Sequence, residues 1–394
     1  MQVETPIFAR IEPDIKPQSG VIPSWSKRPF IEKRQPMQFE LLRSRESVAA
    51  LRGAVSRLFA EVMPHPDATL TPEYFLAGLE PNEKPQVVAC YECGDLVGVL
   101  YSSELYVMGL RTGFLFGGDQ MGRGLVLAAP EREQEIFTAA CAFLLDQGRH
   151  AMRFNWTPQS ALQAGEIQLP QRSARLHNRL DPHPEGDWLG LQPTYEEFLS
   201  HMGPHTRRNL RYYRRKVEAI GFTYSGVLGP SEITGALQSL NLVADYPISQ
   251  ARLNRDRRFF EAFGTPVIAG LRDSRGHFIS LVTGFTAGTH LHILTQLNGE
   301  SEALRKLSLS LVLRGYLIEE FIQRGFTAVH FIHGSSPMLG RFCEPVDLRV
   351  ISIDDRRALM TPFKKACSKL ADAFRRRGRR VPYRLQRAAG SYLQ

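Results

Sequence analysis

The chain has 394 residues, 43% of them hydrophobic and 23% charged, the balance of a soluble globular protein long enough for two domains with separate cores. Its formal charge of +9 and pI near 9.4 point to anionic partners, whether phosphate-bearing ligands, nucleic acid or a membrane surface, without choosing a fold. No apolar run approaches the ~18 residues of a membrane span, and five scattered cysteines behind a start without a signal-peptide pattern suit a reducing cytoplasm rather than a disulfide scaffold.

Residues 1–37 carry Pro6, Pro13, Pro17, Pro23, Pro29 and Pro36 with no sustained periodicity and read as an extended arm. From Ser44, "RESVAALRGAVSRLFAEV" has apolar residues at helical spacing, and "TPEYFLAGL" opens with Thr71 as N-cap and Pro72 in the first turn. A meander follows, "QVVACYECGDLVGVLYSSELYVMGLRTGFLFGG", with turn signals at Gly94-Asp95 and Arg111-Thr112-Gly113. Within it Cys90-Tyr-Glu-Cys93 has the spacing of half a zinc site, but no second pair lies nearby, so no metal is expected. Pro130 opens a helix that is acidic in its first turn and closed by Gly148; "AMRFNWTP" and "ARLHNRLDP" read as strands. "GGDQMGRG", before that helix, reads as a glycine-rich turn.

The second part of the chain replays this order. "SEITGALQSLNLVADY" and "DRRFFEAFG" read as helices, "PVIAGLRDSRGHFISLVTGFTAGTHLHILTQLNG" as three strands, "LRKLSLSLVLRGYLIEEFIQRG" as one long helix, and "AVHFIHG" and "LRVISID" as closing strands. The repetition, about 180 residues apart, predicts an α/β (α+β) fold of two similar halves, each a mixed, mostly antiparallel sheet flanked by helices. The expected division is an arm to 37, a first domain over 38–190, a second over 191–355, and a basic helix and tail over 356–394.

At the junction, "HTRRNLRYYRRKVEAIG" carries six basic side chains on an amphipathic helix over 205–221. Leu210, Tyr213, Val217 and Ile220 form its docking stripe, and Arg207, Arg208, Arg211, Arg214 and Arg215 fill an adjacent arc with Glu218 the only acid. Three readings are open: a flank completed by a ligand phosphate, which guanidinium forks match bidentately, salt bridges to carboxylates elsewhere in the fold, or a solvated face.

The repeated order, with "YEEFLSHMGPHTRRNLRYYRRKVEAIGF" at the junction, resembles the CelD-like (cellulose-biosynthesis-type) acetyltransferases, a tandem branch of the GNAT superfamily related to the Fem-type peptidyltransferases. Tyr195, Phe198, Leu199, Ser200, Arg207, Arg208, Leu210, Arg211, Arg215 and Gly221 carry the resemblance, which covers about residues 40–355. It implies a GNAT-like fold in each half, an acyl-CoA or acetyl-CoA donor, and transfer to an amine or hydroxyl acceptor in cell-envelope or exopolysaccharide metabolism. The chain departs from the family pattern at Lys306-Leu307-Ser308, where Ser-Pro-Gly is usual, and at "HGSSPMLGRF", which lacks the usual Gly followed by Tyr-Lys.

Such a transferase needs phosphate donors at a helix N-terminus, a splay between two strands for the thioester and a group that removes a proton from the acceptor. Arg305, Lys306 and Ser308 stand at the start of the second half's long helix and, with Arg207 and Arg211, are the expected cofactor-binding residues. "HLHILTQLN" puts His290, His292, Leu294 and Gln296 on one strand face, and "AVHFIHG" offers His330 and His333. His292 and His333 are the expected proton acceptors. The resemblance adds Asp245 and Tyr246, between the two helices that precede the strands, as acceptor-site residues. An aminoacyl-tRNA donor, or a non-catalytic protein that binds nucleic acid or another polyanion, is the alternative. Contact with tRNA or an anionic membrane surface would run through 205–221 and the basic stretch 364–387, placing the protein in the cytoplasm or peripherally at the inner membrane face.

Overall fold

The computed structural model describes residues 36–355, apart from 64–66, 108, 120–122, 150, 157–166, 168, 170–173, 229, 300 and 336. The expected arm, save its last two residues, and the basic tail lie outside the described residues. Taking residue 190 as the divide, the first half runs β1 (Gln38–Leu42), α1 (Arg45–Ala50), α2 (Arg52–Val62), α3 (Pro72–Gly78), β2 (Glu83–Pro85), β3 (Val87–Glu92), β4 (Asp95–Leu100), β5 (Ser103–Val107), β6 (Leu110–Gly117), β7 (Val126–Ala128), α4 (Glu133–Asp146), β8 (Ala151–Trp156) and β9 (Ala174–Gly190). The second runs α5 (Tyr195–His201), α6 (Pro204–Ala219), β10 (Thr223–Ser225), α7 (Pro230–Leu242), α8 (Gln250–Phe263), β11 (Pro266–Arg272), β12 (Phe278–Ala287), β13 (His290–Asn298), α9 (Glu302–Arg305), α10 (Leu309–Gln323), β14 (Ala328–Phe331), α11 (Pro337–Gly340) and β15 (Glu344–Asp355).

Local chemistry sets many of these boundaries. Thr71 accepts from the Tyr74 N–H as the N-cap of α3, with Pro72 at N1, a cap worth about 1 kcal/mol. Gly264, at φ 65, ends α8 in the left-handed conformation. Three boundaries differ from the sequence reading. Arg111-Thr112-Gly113 is no turn but a bulge inside β6, because Gly113 (φ 66) donates its N–H to the buried Glu104 carboxylate; Gly109 (φ 78) stands at the reversal instead. The meander is divided between sheets: β3 and β4 join β1 and β7 in a four-stranded sheet, whereas β5 and β6 belong to the other. The long helix breaks at Lys306–Ser308, where Ser308 adopts φ 49 and α10 starts afresh.

Each half contains one parallel strand pair made by a helical crossover: β6 with β8 through α4, and β13 with β14 through α9 and α10. Parallel neighbours need such a connection, so this repeat identifies the two α/β halves as similar units. The halves are joined by exchange of their last strands. β9 pairs with β14 of the second half, β15 pairs with β8 of the first, and β9 and β15 pair with each other from Ala174↔Asp355 to Trp188↔Glu344. One eleven-stranded sheet results, in the order β10-β11-β12-β13-β14-β9-β15-β8-β6-β5-β2.

The second half's main core lies between this sheet and α5, α6 and α10, with Val217, Leu313, Leu317, Phe321 and Val329 fully buried. Burying each such side chain is worth roughly 1.5–3 kcal/mol. On the opposite face a smaller cluster packs α3 of the first half against α8 of the second through Tyr74, Ala77, Phe259 and Phe285. This cluster roofs the site described next.

Candidate active site

β13 and β14 run in parallel register from His290↔Ala328 to Ile293↔Phe331, and the last bond is Ile332 N–H to the Ile293 carbonyl at 3.1 Å. β14 ends there, the chain turns at Gly334 (φ 85), and β13 continues to Asn298 paired only with β12. Against β12 the register steps from Thr283↔Thr295 to Gly284↔Ile293, which leaves Leu294 as a bulge. The two strands therefore splay at Leu294, and beyond it one edge of β13 pairs with no strand among the described residues. The bulge also reverses the alternation of side chains. His292 keeps the α8 face, but Gln296 points to α10, where its Oε1 accepts from Arg314 Nε at 2.8 Å. The expectation of His292 and Gln296 on one face fails for this reason.

Buried polar groups surround the splay. From α8, Arg252 donates to the Leu294 carbonyl (3.2 Å) and Thr295 Oγ1 (3.0 Å), Thr283 Oγ1 donates to Asp256, and Arg255 donates to His333 Nε2 at 2.6 Å. Burial raises the Asp256 carboxyl above its ordinary range, against the pull of Arg255 and of Thr295. On the other face Arg314 lies over the Phe331 ring and burial pulls its guanidinium down to about 10. Eleven buried side-chain nitrogen or oxygen atoms among the described residues lack a protein hydrogen-bond partner. Five of them, on Arg255, Asp256, His292, Gln296 and Arg314, flank this one splay. Each such atom costs about 1–3 kcal/mol, so their concentration marks a place built to meet something other than the protein itself.

A relay of buried groups leads into the splay from the first half. Arg123, from the glycine-rich turn after β6, binds Asp187 of β9 bidentately at 2.9 and 3.0 Å. Asp187 accepts from His330 Nε2 at 3.2 Å, and His330 Nδ1 meets His292 Nδ1 at 3.1 Å. Asp187, His330 and His292 are all fully buried. Burial alone would raise the Asp187 carboxyl, but the hydrogen bonds and charges of His330 and Arg123 hold it below the usual carboxylate range. Burial, then the charges of His330, His290 and Arg123, keeps the His292 imidazole well below its ordinary value. With both imidazoles neutral, one proton arrangement fits: His330 Nε2–H donates to Asp187, His292 Nδ1–H donates to His330, and the His292 Nε2 lone pair has no hydrogen-bond partner among the described residues. Phe285 stacks on the His292 ring at 4.7 Å and fixes its plane.

The other expected residues are distributed as follows. His333 lies at the splay, but its Nε2 already accepts from Arg255. Asp245 and Arg305, expected to serve acceptor and donor separately, form an ion pair with each other at 2.9 Å. Their loop is tied to the end of β13 by Asp245 N–H to Asn298 carbonyl, and Tyr246 beside it is 80% exposed. Lys306 and Ser308 flank the start of α10. Arg207 and Arg211 lie on α6, which packs on α10. Their flank is also less open than its sequence implies. Arg211 pairs with Glu196, and Arg214 pairs with Glu319 and Glu218 while covering Tyr316; Arg207, Arg208 and Arg215 form no ion pair among the described residues. Ile220, expected to dock, is half exposed where the helix ends. Cys90 is buried in β3 while Cys93 is exposed in the following turn, and no metal-binding group of His, Cys, Asp and Glu occurs among the described residues.

Asp187, Arg123 and the α8 trio of Arg252, Arg255 and Asp256 escaped the sequence reading. Nothing local marks Asp187 or Arg123. The trio had a signal, Ser249 as an N-cap, which starts α8 at Gln250 and puts the three on one face.

The sequence matches no protein-family model and no curated protein. Solved structures are similar in fold. The crystal structure of FemX aligns with TM-score 0.51 and 10% identity over 80% of this chain and 96% of its own. The C-terminal domain of a putative lysylphosphatidylglycerol synthetase from Agrobacterium fabrum gives 0.49 and 10% over 84% and 96%. A tandem GNAT protein from the clavulanic acid biosynthesis pathway gives 0.46 and 14% over 81% and 98%.

Proposed function

We propose that the chain is a GNAT-type acyltransferase that moves an acyl group from acyl-CoA to an amine or hydroxyl acceptor at the β13–β14 splay. The observation that carries this reading is the splay itself, a bulged strand with one edge that no described strand covers, flanked by five buried polar atoms without a hydrogen bond among the described residues. The donor's thioester arm would lie along that edge. Its phosphates would meet the start of α10 and Lys306, with Arg305 exchanging Asp245 for phosphate.

The acceptor attacks the thioester carbonyl directly, with no covalent enzyme intermediate. Its proton passes to His292 Nε2, the carbon–sulfur bond breaks, and the thiolate leaves. Because His292 is neutral near pH 7, its lone pair is available. The imidazolium it becomes is offset through His330 by the Asp187 carboxylate, which Arg123 holds in place. His292, His330 and Asp187 thus act as one unit.

The division of labour between a first domain over 38–190 and a second over 191–355 belongs to the same proposal, the second supplying the splay and the first the anchor of the relay. The alternative donor, aminoacyl-tRNA, draws its support from Arg207, Arg208 and Arg215, cations of α6 without carboxylate partners among the described residues. Thermal unfolding in the presence of coenzyme A, acyl-CoAs and tRNA separates the readings. A thioester donor gives saturable protection with little salt dependence, while tRNA gives protection that falls steeply with salt. With an acyl-CoA donor, His292→Ala is expected to lower kcat by 10²–10⁴-fold while leaving coenzyme A protection intact. Absence of coenzyme A protection would remove the acyl-CoA reading.

A further inference from the structure

A cavity of about 340 Å³ opens between α1 and α3 of the first half and α8 of the second. Its floor is small and apolar, with Ala49, Ala77 and Ala262, and its walls carry Arg45, Arg52 and Arg258 against Glu73 and Glu261. Three of these charges are spoken for. Arg52 binds Glu73, and Glu261 binds Arg257 from outside the cavity. Arg45 and Arg258 form no ion pair among the described residues; they reach instead for backbone oxygens at the end of α3. Arg45 donates to the Leu76 carbonyl at 3.0 Å, and Arg258 donates to those of Ala77 and Leu79 at 3.0 and 2.8 Å. Each guanidinium has five N–H donors, so these bonds orient both forks and leave further donors on each. Burial lowers Arg258 against the pull of the Glu80 carboxylate, and the neighbouring cations Arg45, Arg255 and Arg257 add to the lowering.

We propose that this groove binds a phosphate group, held between the Arg45 and Arg258 forks, and that the phosphate belongs to the acyl acceptor. Two oriented guanidinium groups without carboxylate partners suit a phosphate's bidentate geometry better than an isolated surface arginine does. The volume is at the small end of ligand pockets, the size of a sugar phosphate or a phospholipid headgroup. Its position also fits an acceptor. Arg258 lies one turn, ~4.5 Å along the axis, beyond Arg255, which bonds His333 at the splay. Under the groove, Ala77 and Phe259 pack on Phe285, the ring stacked on His292. An acceptor anchored here by its phosphate would have to reach His292 Nε2 past this apolar layer.

The assignment to the acceptor rests on the acyltransferase reading; the phosphate site does not. The test uses the full chain and its Arg45→Gln variant, because Arg45 is exposed and its loss leaves the core intact. Inorganic phosphate, glycerol 3-phosphate and vesicles of phosphatidylglycerol or phosphatidylcholine are titrated and binding is followed by calorimetry or sedimentation, with coenzyme A titrated in parallel. At least one phosphate-monoester or phosphatidylglycerol probe is expected to bind the parent chain with Kd at or below about 1 mM, and at least tenfold more weakly after Arg45→Gln. Binding of the soluble ester names a free metabolite as the source, and binding of phosphatidylglycerol vesicles alone names a lipid headgroup. Failure of every phosphate probe, or equal affinity for the two chains, overturns the groove. Coenzyme A affinity is expected to be unchanged by Arg45→Gln; if it falls in parallel, the groove belongs to the donor and the acceptor assignment is lost. Phosphate binding without coenzyme A binding or thioester cleavage would keep the groove and remove the acyltransferase reading instead.

Discussion

At the level of single residues, the acid side of the relay sets how the protein responds to pH. His292 has a folded pKa well below its unfolded value near 6.5, so the unfolded chain binds the extra proton first. Its contribution is complete above that value and is lost as pH falls below it. Asp187, also depressed, gives up its own contribution only at lower pH, below the ordinary carboxylate range. Denaturant unfolding between pH 6.5 and 5 is therefore expected to lose stability by up to about 1.4 kcal/mol per pH unit from His292 alone, and His292→Gln to flatten that slope. A slope that is identical in the two proteins would mean the imidazole titrates normally. Asp187→Ala, which strands the buried Arg123, is expected to cost about 3–5 kcal/mol. Sequence pattern picked out His292 and His330 as histidines on strands but could not supply Asp187. That carboxylate reaches them through pairing between β9 and β14, across some 140 positions of chain, and no local spacing encodes such a meeting.

Secondary elements were largely legible because caps and periodicity are local. Thr71-Pro72, Gly148 and Gly264 all end or begin helices where their conformational preferences demand. The errors fall where tertiary structure overrides a local signal: a glycine that reads as a turn becomes a bulge because Glu104 needs its N–H, and an apolar run that reads as one helix is broken at Ser308. Ser308 is the informative case, since a non-glycine residue in the left-handed region costs about 1–2 kcal/mol. Ser308→Gly is expected to raise stability by about 0.5–1 kcal/mol in thermal unfolding while weakening coenzyme A binding. A gain in stability with unaltered coenzyme A affinity would show that the hydroxyl has no part in holding the donor. The arginine flank of α6 shows the opposite limit. Its helical arc was readable, but Glu196 and Glu319 arrive from α5 and α10, and only the packed structure reveals which cations they claim.

For the molecule as a whole, the repeat was visible in the order of elements, but the exchange of β9 and β15 was not, because either strand satisfies the same alternation on either side of the junction. The exchange makes the halves mutually dependent, and the described residues from Met37 onward fall in one compact unit. Calorimetry of the full chain is expected to show a single cooperative transition, and chains ending or beginning at residue 190 to remain unfolded when produced separately. Two resolved transitions, or a folded isolated half, would contradict that dependence. The same exchange bears on biosynthesis. β8 emerges from the ribosome almost 200 residues before β15, its neighbour in the finished sheet. At about 5–20 residues per second, a nascent chain holds that strand edge unprotected for roughly 10–40 s, long enough for chaperone engagement to govern how much protein a cell recovers.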